Sequence, residues 1–336
     1  MTMEIEPFSL PLANPLETAA GTLDAREGLV IRTMIDGVQG VGEATPLAGW
    51  TESIEACQRA LEGVADPERA LNDGSLDGAP AARHGVSLSV LDARARSTSR
   101  PLYQVLGEGT RVEAVPVNAT VGDGDISETV DAVESAVSDG FSVIKLKVGS
   151  RCLEDDVDRL EAARSRHPDV ELRVDANGAW NEATAKAACS RLAEIGVSVL
   201  EQPLPAARLD AHARLRDRGV EIALDESVSK QGPEAVLDAG AADLLVCKPM
   251  VLGGIDIARE IILSARRAGI DAIATTTIDG ALARAAAVHL AASIPDIRAC
   301  GLATGSLFRS DLRSSVALVS DGTATVPQGK GNIPPR

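Results

Sequence analysis

The sequence predicts an α/β protein: a (β/α)8-like barrel carrying an N-terminal α+β capping domain. Three observations lead there. From about residue 113 onward, short β-branched runs alternate with alanine- and arginine-rich stretches. Those stretches place apolar residues at helical spacing and close on glycine, as SETVDAVESAVSDG at 127–140 does. The first 110 residues keep a different rhythm. Eight strand–helix units in succession favour a parallel sheet closed on itself over an open doubly wound sheet.

The capping domain is expected over 1–110. Residues 3–10, 28–36 and 38–47 read as an antiparallel meander, with Asp36-Gly37 as a turn, and helical segments follow at 51–63 and 79–98. The barrel is expected over 111–306, with strands at 112–121, 141–149, 170–178, 197–204, 221–227, 243–250, 270–279 and 300–306. Residues 307–336 are irregular, end in GKGNIPPR, and are expected to pack back on the cap.

Composition narrows the function. A chain of 336 residues with 45% hydrophobic content builds a large core. No apolar run approaches the roughly 20 residues that span a bilayer, and the opening MTMEIEPFSL lacks a basic segment followed by an apolar one. Five cysteines without a CxxC pair fit buried thiols in a reducing cytoplasm, so a cytoplasmic location is expected. A net charge of −16 argues against nucleic acid as a partner. The basic residues are mostly arginine, with only six lysines, at 145, 147, 186, 230, 248 and 330. That balance fits a salt-rich cytoplasm, where counterions screen the carboxylates; an ordinary acidic cytosolic enzyme is the plainer alternative. The partner expected is a small-molecule carboxylate, and a homo-oligomer stays open.

In a barrel the last residues of each strand face the mouth, where such enzymes place their chemistry. Those positions carry Lys145 and Lys147, then Asp175, Glu201, Asp225 and Lys248, each about one βα unit beyond the last. Lys145 and Lys147 are two apart and share one strand face. Three carboxylates converging at one mouth repel each other unless a cation binds among them, and Mg²⁺ is the natural hard cation for oxygen donors. A lysine beside another ammonium and a metal ion has its neutral form favoured, which makes it a usable base. Singly, each group has a plainer explanation: Asp225 as a helix cap, a strand lysine as a solvated edge residue. The evenly spaced set of six is what points to a site. His84, His167, His212 and His289 read as structural or solvent-facing, Cys247 as a packed thiol, and Gly253-Gly254 as a helix-entry turn.

The words KLK (145–147), VDANGAW (174–180), EQPL (201–204), LDES (224–227) and CKP (247–249) resemble the enolase superfamily, and within it the muconate-lactonising-enzyme subgroup. GEATPLAGWTES (42–53) and RPLYQVLG (100–107) resemble that family's capping domain. The resemblance implies that Asp175, Glu201 and Asp225 bind Mg²⁺, with Mn²⁺ as a substitute. It makes Lys147 the base on one face of the substrate, Lys145 the group that lowers its pKa, and Lys248 the group on the opposite face. Asn177, Glu226, Asp279, Thr304 and Gly305 become supporting or substrate-binding positions. TTTIDGALARAAAVHLA (275–291) and GLATGSL (301–307) most resemble o-succinylbenzoate synthases, dehydratases of menaquinone biosynthesis, although Asp279 stands where Glu is usual. The strand-eight end lacks the Asp-x-Asp with which dipeptide epimerases hold an ammonium. The alternatives are an N-succinylamino acid racemase or dipeptide epimerase and, from another class, a catalytically silent barrel with a binding role.

Overall fold

The computed structural model describes residues 3–18, 21–107 and 109–333. An antiparallel sheet opens the chain, with β1 (Met3–Thr18), β2 (Gly21–Ile35) and β3 (Val38–Ala44) side by side in that order. Asp36 and Gly37 both take positive φ, 48° and 78°, as a tight turn between twisted strands requires. The first hairpin is longer than the expected 3–10 and 28–36. Pro7, Pro11 and Pro15 interrupt the alternation that marks a strand, yet β1 is an edge strand, where a missing amide donor is tolerated. The register slips between Pro11 and Leu16 to absorb them. Helices α1 (Ile54–Glu62), α2 (Pro67–Ala70), α3 (Pro80–Ser97) and α4 (Leu102–Gly107) follow. Ser53 starts α1 by accepting the Ala56 amide at 3.2 Å.

Seven parallel strands then follow in chain order. After β4 (Ala114–Pro116) come β5 (Ala119–Val121), α5 (Ile126–Ser138), β6 (Val143–Lys147), α6 (Leu153–Arg166), β7 (Glu171–Asp175), α7 (Glu182–Ile195) and β8 (Val197–Glu201). Next are α8 (Leu209–Ala213), β9 (Glu221–Leu224), α9 (Glu226–Gln231), α10 (Pro233–Asp238) and β10 (Leu244–Cys247). The series ends with α11 (Pro249–Leu252), α12 (Ile255–Arg267), β11 (Asp271–Ala274) and α13 (Ala281–Ala292). Strands β5 to β11 lie side by side in a curled sheet with helices around it.

Two expected strands are corrected. The run 112–121 divides: β4 pairs with a C-terminal strand, and only β5 joins the parallel sheet. The stretch 300–306 forms no strand. Single bridges, Val117 to Cys300 and Thr275 to Gly301, link the two sheet edges through it. Gly301 allows this, because a Cβ there would stand 2.5 Å from the Thr275 hydroxyl. The fold is thus a modified (β/α)8-like barrel with an α+β cap.

The C-terminal residues divide their contacts. Leu12 bridges Phe308 beside β1, while β12 (Val319–Ser320) and β13 (Thr323–Thr325) form a small sheet with β4. Asn332 reaches back to Asp92 and to the Leu282 carbonyl. Residues 334–336 of this segment, like 1–2, 19–20 and 108 of the cap region, lie outside the described residues. Every residue of the alanine-rich α13 is buried. Met250 and Ala283 join the cap core of Leu29, Ile31, Leu61 and Val86, so cap and barrel share one packed boundary. Among the described residues no helix is long and apolar enough to cross a membrane. The cysteines are free thiols, four buried; Cys152, just before α6, is exposed, contrary to the expectation of buried thiols.

Candidate active site

Strand register sets the site. Lys147 pairs with Asp175 across β6 and β7, and Asp175 with Glu201 across β7 and β8, so three charged groups stand at one height. In β6, Val143, Ile144 and Leu146 are buried while the two lysines stay partly open. The end of β6 is pinned from beneath by Arg159, itself almost wholly buried. Its guanidinium donates to the carbonyls of Lys147 (3.1 Å) and Gly122 (2.9 Å) and pairs with Asp156 at 2.8 Å.

Each carboxylate holds a lysine. Lys145 Nζ lies 3.2 Å from Asp175 Oδ2 and 3.0 Å from Glu201 Oε1. Lys147 Nζ lies 2.6 Å from the same Asp175 oxygen and 2.7 Å from Asn177 Oδ1. Lys248 Nζ lies 2.5 Å from Asp225 Oδ2 and 3.4 Å above the centroid of the Trp50 ring, which the cap supplies. Asn177 is oriented by its own donation to Glu226 Oε1 at 3.1 Å, which turns its amide oxygen toward Lys147. The side chain of Asp225 makes no capping bond to α9.

The electrostatics follow from burial and from the uneven sharing of three ammonium groups among three carboxylates. Burial opposes charge on Lys145, but Glu201, Asp175 and Asp225 outweigh it and hold the ammonium above the usual lysine range. Burial likewise opposes charge on Asp175, and Lys145 with Lys147 more than reverse this, holding the acid well below the carboxylate range. Glu201 goes the other way: burial and then the Asp175 charge lift it to about 7, against the pull of Lys145. Asp175 faces two ammonium groups, at 3.2 and 2.6 Å, whereas Glu201 faces only the shared Lys145 at 3.0 Å.

The donor set fits a hard divalent cation. Asp175, Glu201 and Asp225 are buried oxygen donors, and Asp225 Oδ1 has no hydrogen-bond partner. Among the described residues no three His, Cys, Asp or Glu are grouped to hold a metal as the side chains stand, with Lys145 bridging Asp175 and Glu201 and Lys248 taking Asp225 Oδ2.

The other expected positions lie apart. Asp279 is buried and accepts from the Thr277 hydroxyl at 2.5 Å; Thr304 shares a 3.0 Å hydrogen bond with Thr276; Gly305 packs on the Arg284 guanidinium. All three belong to the strand-seven and strand-eight ends. The histidines are structural: His84 Nδ1 meets the Glu43 carbonyl at 2.8 Å, while His212 and His289 are wholly buried. His167, largely covered, stands 3.4 Å from Glu134. Burial pushes the Cys247 thiol up to about 12, as for a packed group. Gly253 and Gly254, at φ 92° and 153°, form the entry to α12.

A profile described as "Enolase C-terminal domain-like" matches residues 128–332, more than half of the chain. The chain belongs to the enolase superfamily. Within it, this chain falls in the subgroup of muconate cycloisomerases and dipeptide epimerases. Muconate cycloisomerase 1 of Rhodococcus opacus is 31% identical over 98% of this chain and 94% of its own. The substrate-liganded L-Ala-D/L-Glu epimerase of Bacillus subtilis superposes with a TM-score of 0.90 at 28% identity, covering 99% of this chain and 97% of that one. The dipeptide epimerase of Methylococcus capsulatus, complexed with Mg and a dipeptide, gives 0.87 at 27% identity, with 98% of both chains covered. This superfamily member is therefore an enzyme by kinship, and Mg²⁺ is at home in its subgroup.

Sequence reasoning gave no role to Trp50, Gln202, Arg26, Glu43 or Arg159. Buried Gln202 accepts from the amides of Asp225 and Ser227, both at 3.1 Å, and so shapes the loop that carries Asp225. Trp50 had two signals, its place in the cap-like run GEATPLAGWTES and its being one of two tryptophans in a chain with 2% aromatic residues, but neither gave it a partner.

Proposed function

We propose that this enzyme removes the proton next to a carboxylate with Lys147, and that the reaction is the o-succinylbenzoate synthase dehydration. The substrate would be 2-succinyl-6-hydroxy-2,4-cyclohexadiene-1-carboxylate and the product 2-succinylbenzoate, which places the enzyme among the carbon–oxygen lyases of menaquinone biosynthesis. A neutral lysine amine has two N–H bonds and one lone pair. Asp175 and Asn177 are two acceptors for those N–H bonds, which leaves the lone pair for the substrate proton. Lys147 takes the C1 proton, the resulting carbanion spreads onto the carboxylate, and hydroxide leaves C6 with that same proton as water. A divalent cation held by Asp175, Glu201 and Asp225 would supply stabilisation of the charge that builds on the carboxylate.

The observation that carries the dehydration is the setting of Lys248. Its partners are a carboxylate and the face of an indole, both partners for a positive charge. A dehydratase uses such a group as a fixed cation facing the intermediate. Proton exchange between two lysines is the second reading, and the epimerases among the relatives support it more directly than they support dehydration. It would make the enzyme an N-succinylamino acid racemase or a dipeptide epimerase. The strand-eight end GLATGSL offers no carboxylate for a substrate ammonium, which favours an N-acylated substrate over a free dipeptide.

Turnover of the cyclohexadiene substrate tests the proposal. Exhaustive chelation is expected to abolish it, Mg²⁺ or Mn²⁺ to restore it, and Glu201→Gln to weaken metal binding without unfolding the barrel. Full activity after chelation contradicts the metal assignment, and absence of dehydration with Mg²⁺ present contradicts the reaction.

A further inference from the structure

Two charged residues of the capping sheet are buried at the boundary with the barrel, and the proposed chemistry uses neither. Arg26 on β2 is 2% exposed and spends its guanidinium on carbonyls: Ile278 at 3.0 Å, Pro46 at 3.0 Å and Thr45 at 2.8 Å. Glu43 on β3 is 0% exposed. Its oxygens accept from the amides of Gly280 (2.7 Å), Leu282 (3.0 Å) and Ala283 (3.0 Å) and from the Thr45 hydroxyl (2.5 Å).

Both residues grip the same two segments. One is 45–46, which leads directly to Trp50. The other is 278–283, which runs from the strand-seven end into α13. Ile278 sits at φ 60°, a conformation that β-branched residues avoid, so this turn has to be held from outside. Gly280 precedes α13 without any side chain to cap it, and Glu43 supplies the acceptors from the other domain. The positive charge of Arg26 also lies close to Glu43 and Asp279 and offsets two buried carboxylates.

We infer that Arg26 and Glu43 form a latch between cap and barrel that fixes loop 46–50 against the strand-seven end and so seats the Trp50 ring over Lys248. They are positioning residues, acting on Lys248 through Trp50. The inference rests on reading Lys248 as a group that faces the substrate.

The test reads Trp50 in the substrate-free protein, so its outcome is independent of which reaction is catalysed. Wild type, Glu43→Gln and Arg26→Lys are each compared with a partner also carrying Trp50→Phe, which subtracts the emission of Trp180. The glutamine keeps the shape but turns an amide donor toward backbone amides; the lysine keeps the charge but loses the three-carbonyl fork. Acrylamide quenching of Trp50 is expected to at least double in both variants, with a red shift in emission and unchanged helix content. In the turnover assay KM should rise by a larger factor than kcat falls. Folded variants whose Trp50 quenching and emission match wild type overturn the latch, as does a loss of stability with no change at Trp50. Hydrogen exchange on the unmodified protein asks the same question should either variant fail to fold. Segments 45–50 and 278–283 are expected to open with one shared free energy; free exchange of 45–50 under persisting protection of 278–283 overturns the inference.

Discussion

At the scale of single residues, a buried histidine shows how the fold sets a group's protonation by matching its donors and acceptors. It is His289. Its Nδ1 accepts from the Tyr103 amide at 3.3 Å and its Nε2 meets the Asn332 carbonyl at 2.7 Å, which fits one neutral tautomer. Burial pushes its pKa from 6.5 down to about 4. The unfolded chain therefore binds a proton below about pH 6.5 that the fold refuses, so this residue's contribution is complete above 6.5 and is lost as pH falls toward 4. The shift corresponds to about 3 kcal/mol at most. Glu43, lifted to about 7 by burial and then by Asp279, works in the opposite sense, stabilising the fold at low pH and losing that contribution as pH rises toward 7. A difference measurement separates them. Denaturant unfolding of wild type and His289→Gln at pH 7 and pH 5 should show the stability gap between the two narrowing at the lower pH; a constant gap contradicts the assignment. The sequence displayed this histidine only as part of an alanine-rich helix, because its partners lie far away at 103 and 332. The six charged groups of the site were legible for the converse reason, since each repeats at the end of a barrel strand and strand spacing is a local property. Their pairing was not. Which ammonium takes which carboxylate depends on side-chain reach across the ends of β6, β7, β8, β9 and β10.

At the scale of elements, close approach decides more than propensity. Strand β3 lies directly on α3, and Gly42 permits it: an added Cβ would stand 2.0 Å from the Gly85 carbonyl and 2.8 Å from the Ser89 amide. Both are backbone atoms, so sheet or helix has to shift. Gly42→Ala is expected to cost about 1–3 kcal/mol or more, while Gly78→Ala, with nothing within 4 Å, changes stability by less than about 0.5 kcal/mol. Urea unfolding of both reads the contrast; equal stabilities contradict the packing account. Barrel strands β6 to β11 were legible because buried parallel strands are short β-branched runs between helices of clear period. The C-terminal half of β1 was not, since its prolines hide an edge strand. Nor was the loss of strand eight, because a β-branched or small-residue run says nothing about how many partners it finds. The latch between Arg26, Glu43 and the strand-seven end was beyond reach, as it joins residues more than 200 positions apart.

At the scale of the whole molecule, the net charge of −16 sets the solution behaviour. Self-repulsion among surface carboxylates is relieved by added cations, so the thermal midpoint is expected to rise clearly between low salt and molar KCl. A flat midpoint removes the salt-adapted reading and leaves the catalytic one untouched. That catalytic reading is that Lys147 moves the proton while Lys248 stands opposite as a fixed positive charge. Lys147→Ala is then expected to lose about 10²–10⁴-fold or more in turnover. Lys248→Arg keeps a charge that does not act as a base, and retains measurable dehydration. The most direct measurement is deuterium incorporation from ²H₂O into each enantiomer of an N-succinylamino acid, run beside the dehydration assay on the same Mg²⁺-loaded enzyme. The account predicts dehydration of the cyclohexadiene carboxylate, with exchange confined to the enantiomer whose α-proton faces Lys147. Rapid exchange into both enantiomers with no dehydration would contradict it and install the two-lysine racemase.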